Sequence, residues 1–202
     1  ASTERFIGSR FEFEAVAKGQ TYGRRRLKNG SVVTLRPLRE TDLDRAWRFA
    51  NSLVNEKRRN PSLGILMDRR ISRAEEKKFL DGLLDGMRKR LVVDVAAEAD
   101  GMIVGNCEVR RSRAGDVRHV GRFGIAILPE YRGIGLGRAM IETLLDRAEK
   151  AGIRLVTLEA FATNGRALRL YRSAGFKEYG RLPGAIRRGS EFGDLVHMFR
   201  QA

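Results

Sequence analysis

Ile125-Ala126-Ile127-Leu128-Pro129-Glu130-Tyr131-Arg132-Gly133-Ile134-Gly135-Leu136-Gly137-Arg138 passes from an apolar, β-rich run through a proline stop into three glycines that alternate over five positions. An amphipathic segment follows at once. Glycine lets backbone N–H groups approach a ligand closely, and the first turn of a helix presents unpaired donors with a partial positive charge. A strand, a glycine turn and a helix start in this order predict a pyrophosphate cradle. Two familiar nucleotide loops do not fit. A Walker loop needs GxxxxGK followed by Ser or Thr, which the chain lacks. A dinucleotide fingerprint GxGxxG counted from Gly133 would put glycine where Arg138 stands. Glu159, at the end of the next apolar run, mimics the ribose-binding acid of that fingerprint, but only one such unit exists and an antiparallel meander precedes it.

Working outward, the helix over Gly135 to Ala151 turns Leu136, Met140, Ile141, Leu144, Leu145 and Ala148 inward and stops at Gly152. Ile153 to Ala160 is then a strand parallel to the one before the helix, because a strand, helix, strand unit crosses over in that way. A shorter helix spans Asn164 to Ala174, closed by Gly175 and Phe176, and Tyr179 to Arg187 with Phe192 to Phe199 reads as a hairpin. On the upstream side, Leu91 to Glu98 and Met102 to Arg110 join at Asp100-Gly101, and His119 to Leu128 completes a meander. Before it, Val32 to Leu35 is a strand stopped by Pro37. Thr41, three residues before Asp44, caps a helix with the stripe Leu43, Ala46, Trp47, Ala50, Leu53 and Val54. Ser72 and Glu75 form a capping box ahead of a second helix that buries Phe79, Leu80, Leu83, Leu84 and Met87. The fold class is α/β (α+β), a mixed, mostly antiparallel central sheet of about seven strands flanked by about four helices. Residues 1–30 read as an N-terminal extension, with an edge strand over Phe11 to Val16 and a polar basic connection over Gln20 to Gly30. Residues 31–202 form the main domain.

Composition narrows the classes. Of 202 residues 42% are hydrophobic and 32% charged, a globular profile. No apolar run approaches the roughly 20 residues needed to span a bilayer, and charges interrupt Ala1 to Gln20, so no membrane role and a cytoplasmic location are expected. Cys107 is the one cysteine, in an apolar run that favours a small buried thiol. With His119 and His197 the only histidines, no metal-ligand cluster is expected. The net charge of +15 favours polyanionic partners: nucleic acid, an acidic peptide or a phosphate-bearing cofactor.

The spacing Arg132, Gly135, Gly137 resembles the GNAT superfamily of acetyl-CoA-dependent N-acetyltransferases, and the resemblance extends over Ser31 to Ala202 in element order. A second motif agrees at the right separation, Leu158 through Asn164, then Ala167, Leu168 and Tyr171 to Gly175-Phe176. The resemblance implies that acetyl-CoA is the cofactor. Its pyrophosphate would meet Gly133, Ile134, Gly135, Leu136, Gly137 and Arg138 behind Arg132, its pantetheine arm the backbone of Ile125 and Ile127, and Asn164. It also implies Tyr171 as general acid toward the departing thiolate, and a backbone N–H near Ile127 for the oxyanion. Glu159 is the candidate base, since a Glu five residues before the Asn resembles ribosomal-protein alanine N-acetyltransferases; a structural ion pair with an arginine is its other reading. Tyr171 could equally be a core aromatic on its helix stripe. Many relatives carry a Glu where Arg122 stands, which weakens transfer of their base. His119 is a further base candidate, and Cys107 lacks the basic partner an acyl-enzyme route needs.

The chain end from Glu178 to Asp194 resembles acetyltransferases of ribosomal proteins and of small amines such as spermidine or phosphinothricin. A basic surface disfavours polycationic acceptors, so the amine acceptor is expected to be a protein N-terminus or lysine near acidic residues. A small-molecule amine acetyltransferase, a nucleic-acid-binding protein that uses the basic clusters and a catalytically silent CoA-binding module stay open at this point, as does homodimer formation.

Overall fold

A computed structural model describes residues 21–60, 63, 67 and 69–201. Eight strands form one sheet: β1 (Gly23–Arg26), β2 (Val32–Arg36), β3 (Val92–Ala99), β4 (Met102–Arg111), β5 (Val120–Ile127), β6 (Leu155–Phe161), β7 (Lys177–Arg188) and β8 (Glu191–Gln201). Their spatial order is β1-β2-β3-β4-β5-β6-β8-β7. Every adjacent pair is antiparallel except β5 with β6, which the crossover helix α3 (Leu136–Lys150) makes parallel. The remaining helices are α1 (Leu43–Lys57), α2 (Arg73–Arg88) and α4 (Gly165–Ser173).

Helices cover both faces of the sheet. On one side Met140, Ile141, Leu144 and Leu168 from α3 and α4 pack against Val95, Cys107, Phe123, Val156 and Leu158, all buried. On the other, Phe49, Leu53, Leu80, Leu83 and Met87 from α1 and α2 cover Val92, Ala96 and Ile103. Since side chains alternate along a strand, Val156 and Leu158 face α3 while Thr157 and Glu159 face the side of α1 and α2. That second side is covered only over the β3–β4 half. Among the described residues no helix covers the β5, β6 and β8 half, which Leu63 of the α1–α2 connection reaches through Arg188.

The mixed sheet with four α-helices agrees with the sequence, and three details differ. The Gln20 to Gly30 stretch, expected as a connection, contains β1, which pairs with β2 from Gly23↔Leu35 to Arg26↔Val32. Its turn is closed by Leu27 N–H on Ser31 C=O at 2.8 Å and by Asn29 Oδ1, which accepts from Ser31 N–H and Oγ. An exposed edge strand needs no apolar alternation, and consecutive arginines on it discourage pairing with another chain, so the hydrophobic pattern was silent. The Phe11 to Val16 strand lies outside the described residues. Thr41 does not cap α1: a 3-10 turn over Glu40–Asp42 leads into the helix, and Asp42 accepts from Arg39 N–H at 2.8 Å. Phe79 is exposed rather than buried, with the Arg110 guanidinium 5.6 Å from its ring centroid.

The start of α1 is fixed by a buried ion cluster. Arg36, 1% exposed, donates from Nη1 and Nη2 to Asp42 at 2.6 and 2.9 Å and from Nε to Glu98 at 2.6 Å. Arg45 pairs with both acids. The cluster ties β2, β3 and the first turn of α1 together.

Candidate active site

The parallel ladder between β5 and β6 covers only Val120↔Leu155, Gly121↔Val156 and Arg122↔Thr157. Beyond it β5 runs on to Ile127 and β6 to Phe161, each still bonded on its outer side, to β4 and β8 respectively. The two strands splay, and a cavity of about 750 Å³ opens between them. Leu128 N–H bonds Val104 C=O at 2.9 Å, so alternation turns the backbone groups of Ile125 and Ile127 away from β4 and toward the gap. Arg132 makes that direction explicit, because its Nε donates to the Ile127 carbonyl at 2.7 Å.

Immediately past β5, a 3-10 turn at Pro129–Tyr131 delivers the chain to the glycine segment. Gly135 adopts φ 97° at the start of α3, a left-handed backbone that strains any other residue, and a Cβ there would stand in open space. Gly137 has a different reason to be small: a Cβ would lie 2.8 Å from Leu170 Cδ2 of α4 and 3.3 Å from Ile127 Cδ1, so a larger residue would displace the Leu170 side chain under the cavity. The unpaired N–H groups of the first turn of α3 lie at this end of the cavity, with Arg138 and Arg166 also on its wall.

Among the expected site residues, Ile125, Ile127, Gly133, Gly135, Gly137 and Arg138 line the cavity, and so do Arg132, Asn164, Glu159 and Tyr171. Two do not. Leu136 is fully buried in the core, and the Ile134 carbonyl accepts Lys28 N–H at 3.0 Å. Arg132 is less free than a phosphate ligand would be, since its guanidinium also grips both oxygens of Glu56 on α1, one at 2.7 Å. It clamps the end of β5 to α1. Asn164 caps α4, accepting Ala167 N–H on Oδ1 at 3.1 Å, which leaves its amide N–H₂ as a donor.

At the far end of the cavity, Tyr171 packs edge-on against Phe123, ring centroids 5.9 Å apart, and against Phe176. Burial pushes its hydroxyl up to about 12, so it stays protonated across the neutral range. It is therefore both a core aromatic and a cavity-lining donor. Glu159 faces the open side of the sheet, one oxygen accepting from Arg122 Nη2 at 2.7 Å and the other 3.9 Å from His197 Nδ1. His119 is elsewhere, exposed at the opposite end of β5 with its carbonyl accepting Arg154 and Leu155 N–H. The histidine that approaches the site is His197, through the β6–β8 register Glu159↔His197. Sequence reasoning missed it, as it missed Glu56, because both meet the site through pairings with no local signature. Cys107 is buried against Met140 C=O, and desolvation holds its thiol well above the ordinary value, which suits core packing rather than nucleophilic attack. Among the described residues no group of three His, Cys, Asp or Glu could hold a metal ion.

The residues fit a long ligand that is anionic at one end: backbone donors and guanidinium groups at the glycine turn, free strand edges in the middle, Tyr171 and Glu159 at the far end. Known proteins agree. The [Ribosomal protein bS18]-alanine N-acetyltransferase of Escherichia coli (strain K12) is 48% identical over 56 residues, 28% of this chain and 38% of that one. The chain thus spans about two fifths of the length of that relative. In structure, an acetyltransferase of the GNAT family from Streptococcus pneumoniae matches with a TM-score of 0.74 at 22% identity, covering 84% of this chain and 99% of its own. A GNAT superfamily phosphinothricin acetyltransferase from Sinorhizobium meliloti, in complex with AcCoA, matches at 0.71 and 20%, covering 84% and 88%. The model of the Acetyltransferase (GNAT) family matches residues 58–176, a span that holds the splayed strands, the glycine turn and both helices beneath it. On that match, the chain belongs to the acetyltransferase (GNAT) family.

Proposed function

We propose that this acetyltransferase uses acetyl-CoA to acetylate a primary amine by direct attack, and that the acceptor is a protein N-terminus or lysine. The observation that carries the reading is the single cavity that joins an anion-binding end at Gly133 to Arg138 with a proton-handling end at Glu159 and Tyr171. Bound acetyl-CoA supplies an activated acetyl thioester. The protein supplies the rest. N–H groups of the glycine turn and Arg138 would hold phosphate oxygens, while Ile125 N–H and Ile127 N–H would offer donors along the gap to charge that develops on the acyl oxygen. Glu159 accepts the proton that the acceptor amine must lose, directly or through water, with Arg122 fixing one of its oxygens. Tyr171 would give its hydroxyl proton to the sulfur as the C–S bond breaks, and the proton taken up by Glu159 would return to Tyr171 through solvent, restoring both residues.

Support for a peptide acceptor comes from the open half of the sheet and from charge. Arg122 and Arg188 stand over this side, Arg188 donating to Leu63 C=O at 2.6 Å and stacking 4.8 Å from the Phe161 ring centroid. Cationic walls attract acidic peptide flanks and repel polyamines. The alanine specificity in the name of the Escherichia coli relative points the same way.

Acetyl transfer is tested by mass spectrometry with three acceptors: a peptide with a free N-terminal alanine and acidic flanks, the same peptide N-blocked but carrying lysine, and small amines. Peptide acetylation, lost in Glu159→Gln and Tyr171→Phe by about 100-fold or more in kcat/KM, is the expected result. Acetylation of small amines only would overturn the acceptor assignment. Calorimetry completes the test: Gly135→Glu, which sets a carboxylate in the cradle, is expected to abolish acetyl-CoA binding, and no binding by the unaltered protein would sink the whole reading.

A further inference from the structure

The turn between β1 and β2 reaches the glycine segment from outside it. Lys28 N–H donates to Ile134 C=O at 3.0 Å, and Lys28 lines the cavity together with Gly133 and Gly135. Two consequences follow for an anion at this place. The carbonyl of Ile134, the loop group that would repel negative charge, is turned outward and occupied. An ammonium is carried to the cavity mouth by an element that belongs to the N-terminal hairpin rather than to the strand, turn and helix of the cradle. Arg166, on α4, approaches from the other side, its Nη2 2.6 Å from where a Cβ of Gly133 would stand. Among the described residues neither side chain is engaged by a carboxylate, in contrast to Arg138, which pairs with Glu142 at 2.7 Å.

On the reading that acetyl-CoA occupies the cavity, we propose that Lys28 and Arg166 bind the 3′-phosphate of its nucleotide, so that the β1–β2 hairpin is an added specificity element for the phosphorylated carrier. Backbone N–H groups in the first turn of α3 serve the pyrophosphate. The ligand carries one more phosphate, a monoester with a charge of about −2. Lys28 is exposed and lies at the mouth, remote from the aromatic end at Phe123 and Tyr171. An ammonium and a guanidinium, both carried by residues of the wall that holds Gly133 and neither paired with a described carboxylate, answer that dianion in charge.

The test compares calorimetric dissociation constants for acetyl-CoA and for 3′-dephospho-acetyl-CoA, with wild type, Lys28→Ala, Lys28→Arg and Arg166→Ala. Lys28 stands in an exposed turn, and thermal melts of each variant check that the fold is kept. Wild type is expected to prefer acetyl-CoA by about ten-fold or more at moderate salt. Lys28→Ala and Arg166→Ala each weaken acetyl-CoA binding by about five-fold while leaving the dephospho form within two-fold, and Lys28→Arg retains most of the affinity. Equal losses for both ligands would move the two residues to the pyrophosphate, and no loss for either would remove them from the site; both results overturn the proposal while leaving the acetyl-CoA reading intact. Failure of wild type to bind either ligand would strike that reading itself.

Discussion

Asp94 is a carboxyl held where water cannot reach it. It is 1% exposed, accepting from Leu38 N–H at 2.8 Å and from Asn106 Nδ2 at 2.6 Å, without an arginine in contact. Desolvation outweighs both hydrogen bonds and raises its pKa from 3.8 to about 7. A carboxyl whose folded value lies above its unfolded one binds more protons in the native state between the two values. Stability from this residue is therefore present below about pH 4 and drains away as pH rises to about 7, by at most about 4 kcal/mol. Asp94→Asn keeps an acceptor for Leu38 and cannot ionise. Denaturant midpoints at pH 5 and pH 8 should therefore differ less in this variant than in wild type; an unchanged difference would show that Asp94 does not titrate in this range. Nothing in the sequence marked it, because an Asp inside Val92 to Ala99 looks like any polar position of a half-exposed strand.

At the level of elements, legibility followed the physics of each signal. The capping box of α2 was visible because both partners are local, and it is present in both directions: Glu75 N–H to Ser72 Oγ at 3.2 Å, Ser72 N–H to Glu75 Oε2 at 2.7 Å. Ser72→Ala removes one acceptor and should cost about 1 kcal/mol, read as a lowered melting temperature with unchanged acetyl-CoA affinity. The glycine turn was legible in part for the same reason, since the left-handed backbone at Gly135 is a local demand, whereas the Leu170 side chain that crowds Gly137 comes from α4. What lay beyond the sequence were partners brought by register and crossing. Arg122 meets Glu159 because the β5–β6 ladder runs to Arg122↔Thr157, and His197 meets it through β8. Glu56 meets Arg132 because α1 crosses the end of β5. The basic connection that became β1 was hidden by its own exposure.

For the molecule as a whole, the ion cluster of Arg36, Asp42, Glu98 and Arg45 is the long-range fastening with most at stake. Burial opposes ionisation of Asp42, yet the hydrogen bonds and charge of Arg36, with Arg39 N–H and Arg45, hold its pKa below the ordinary value. Asp42→Ala leaves the Arg36 guanidinium buried with Glu98 as its remaining acid, and should destabilise by about 3–5 kcal/mol. Equilibrium denaturation measures it; a loss under about 1 kcal/mol would mean that Glu98 alone satisfies Arg36. The class of fold and the family were readable because element order and the glycine spacing are linear properties of the chain. This cluster was not, since its members come from β2, the turn before α1 and β3.

The short β5–β6 ladder makes the cleft a fork in one packed body. Three paired positions, Val120 to Arg122 against Leu155 to Thr157, close its base, and the tines end at Ile127 and Phe161. Beneath the fork α3 and α4 pack against strands on both sides of it in one core, so the gap is held open by packing as well as by pairing. Arg132, anchored to Glu56 and to the Ile127 carbonyl, braces one tine against α1. The width of the cleft is therefore a property of the shared core, and a core substitution under the fork would be felt along its whole length.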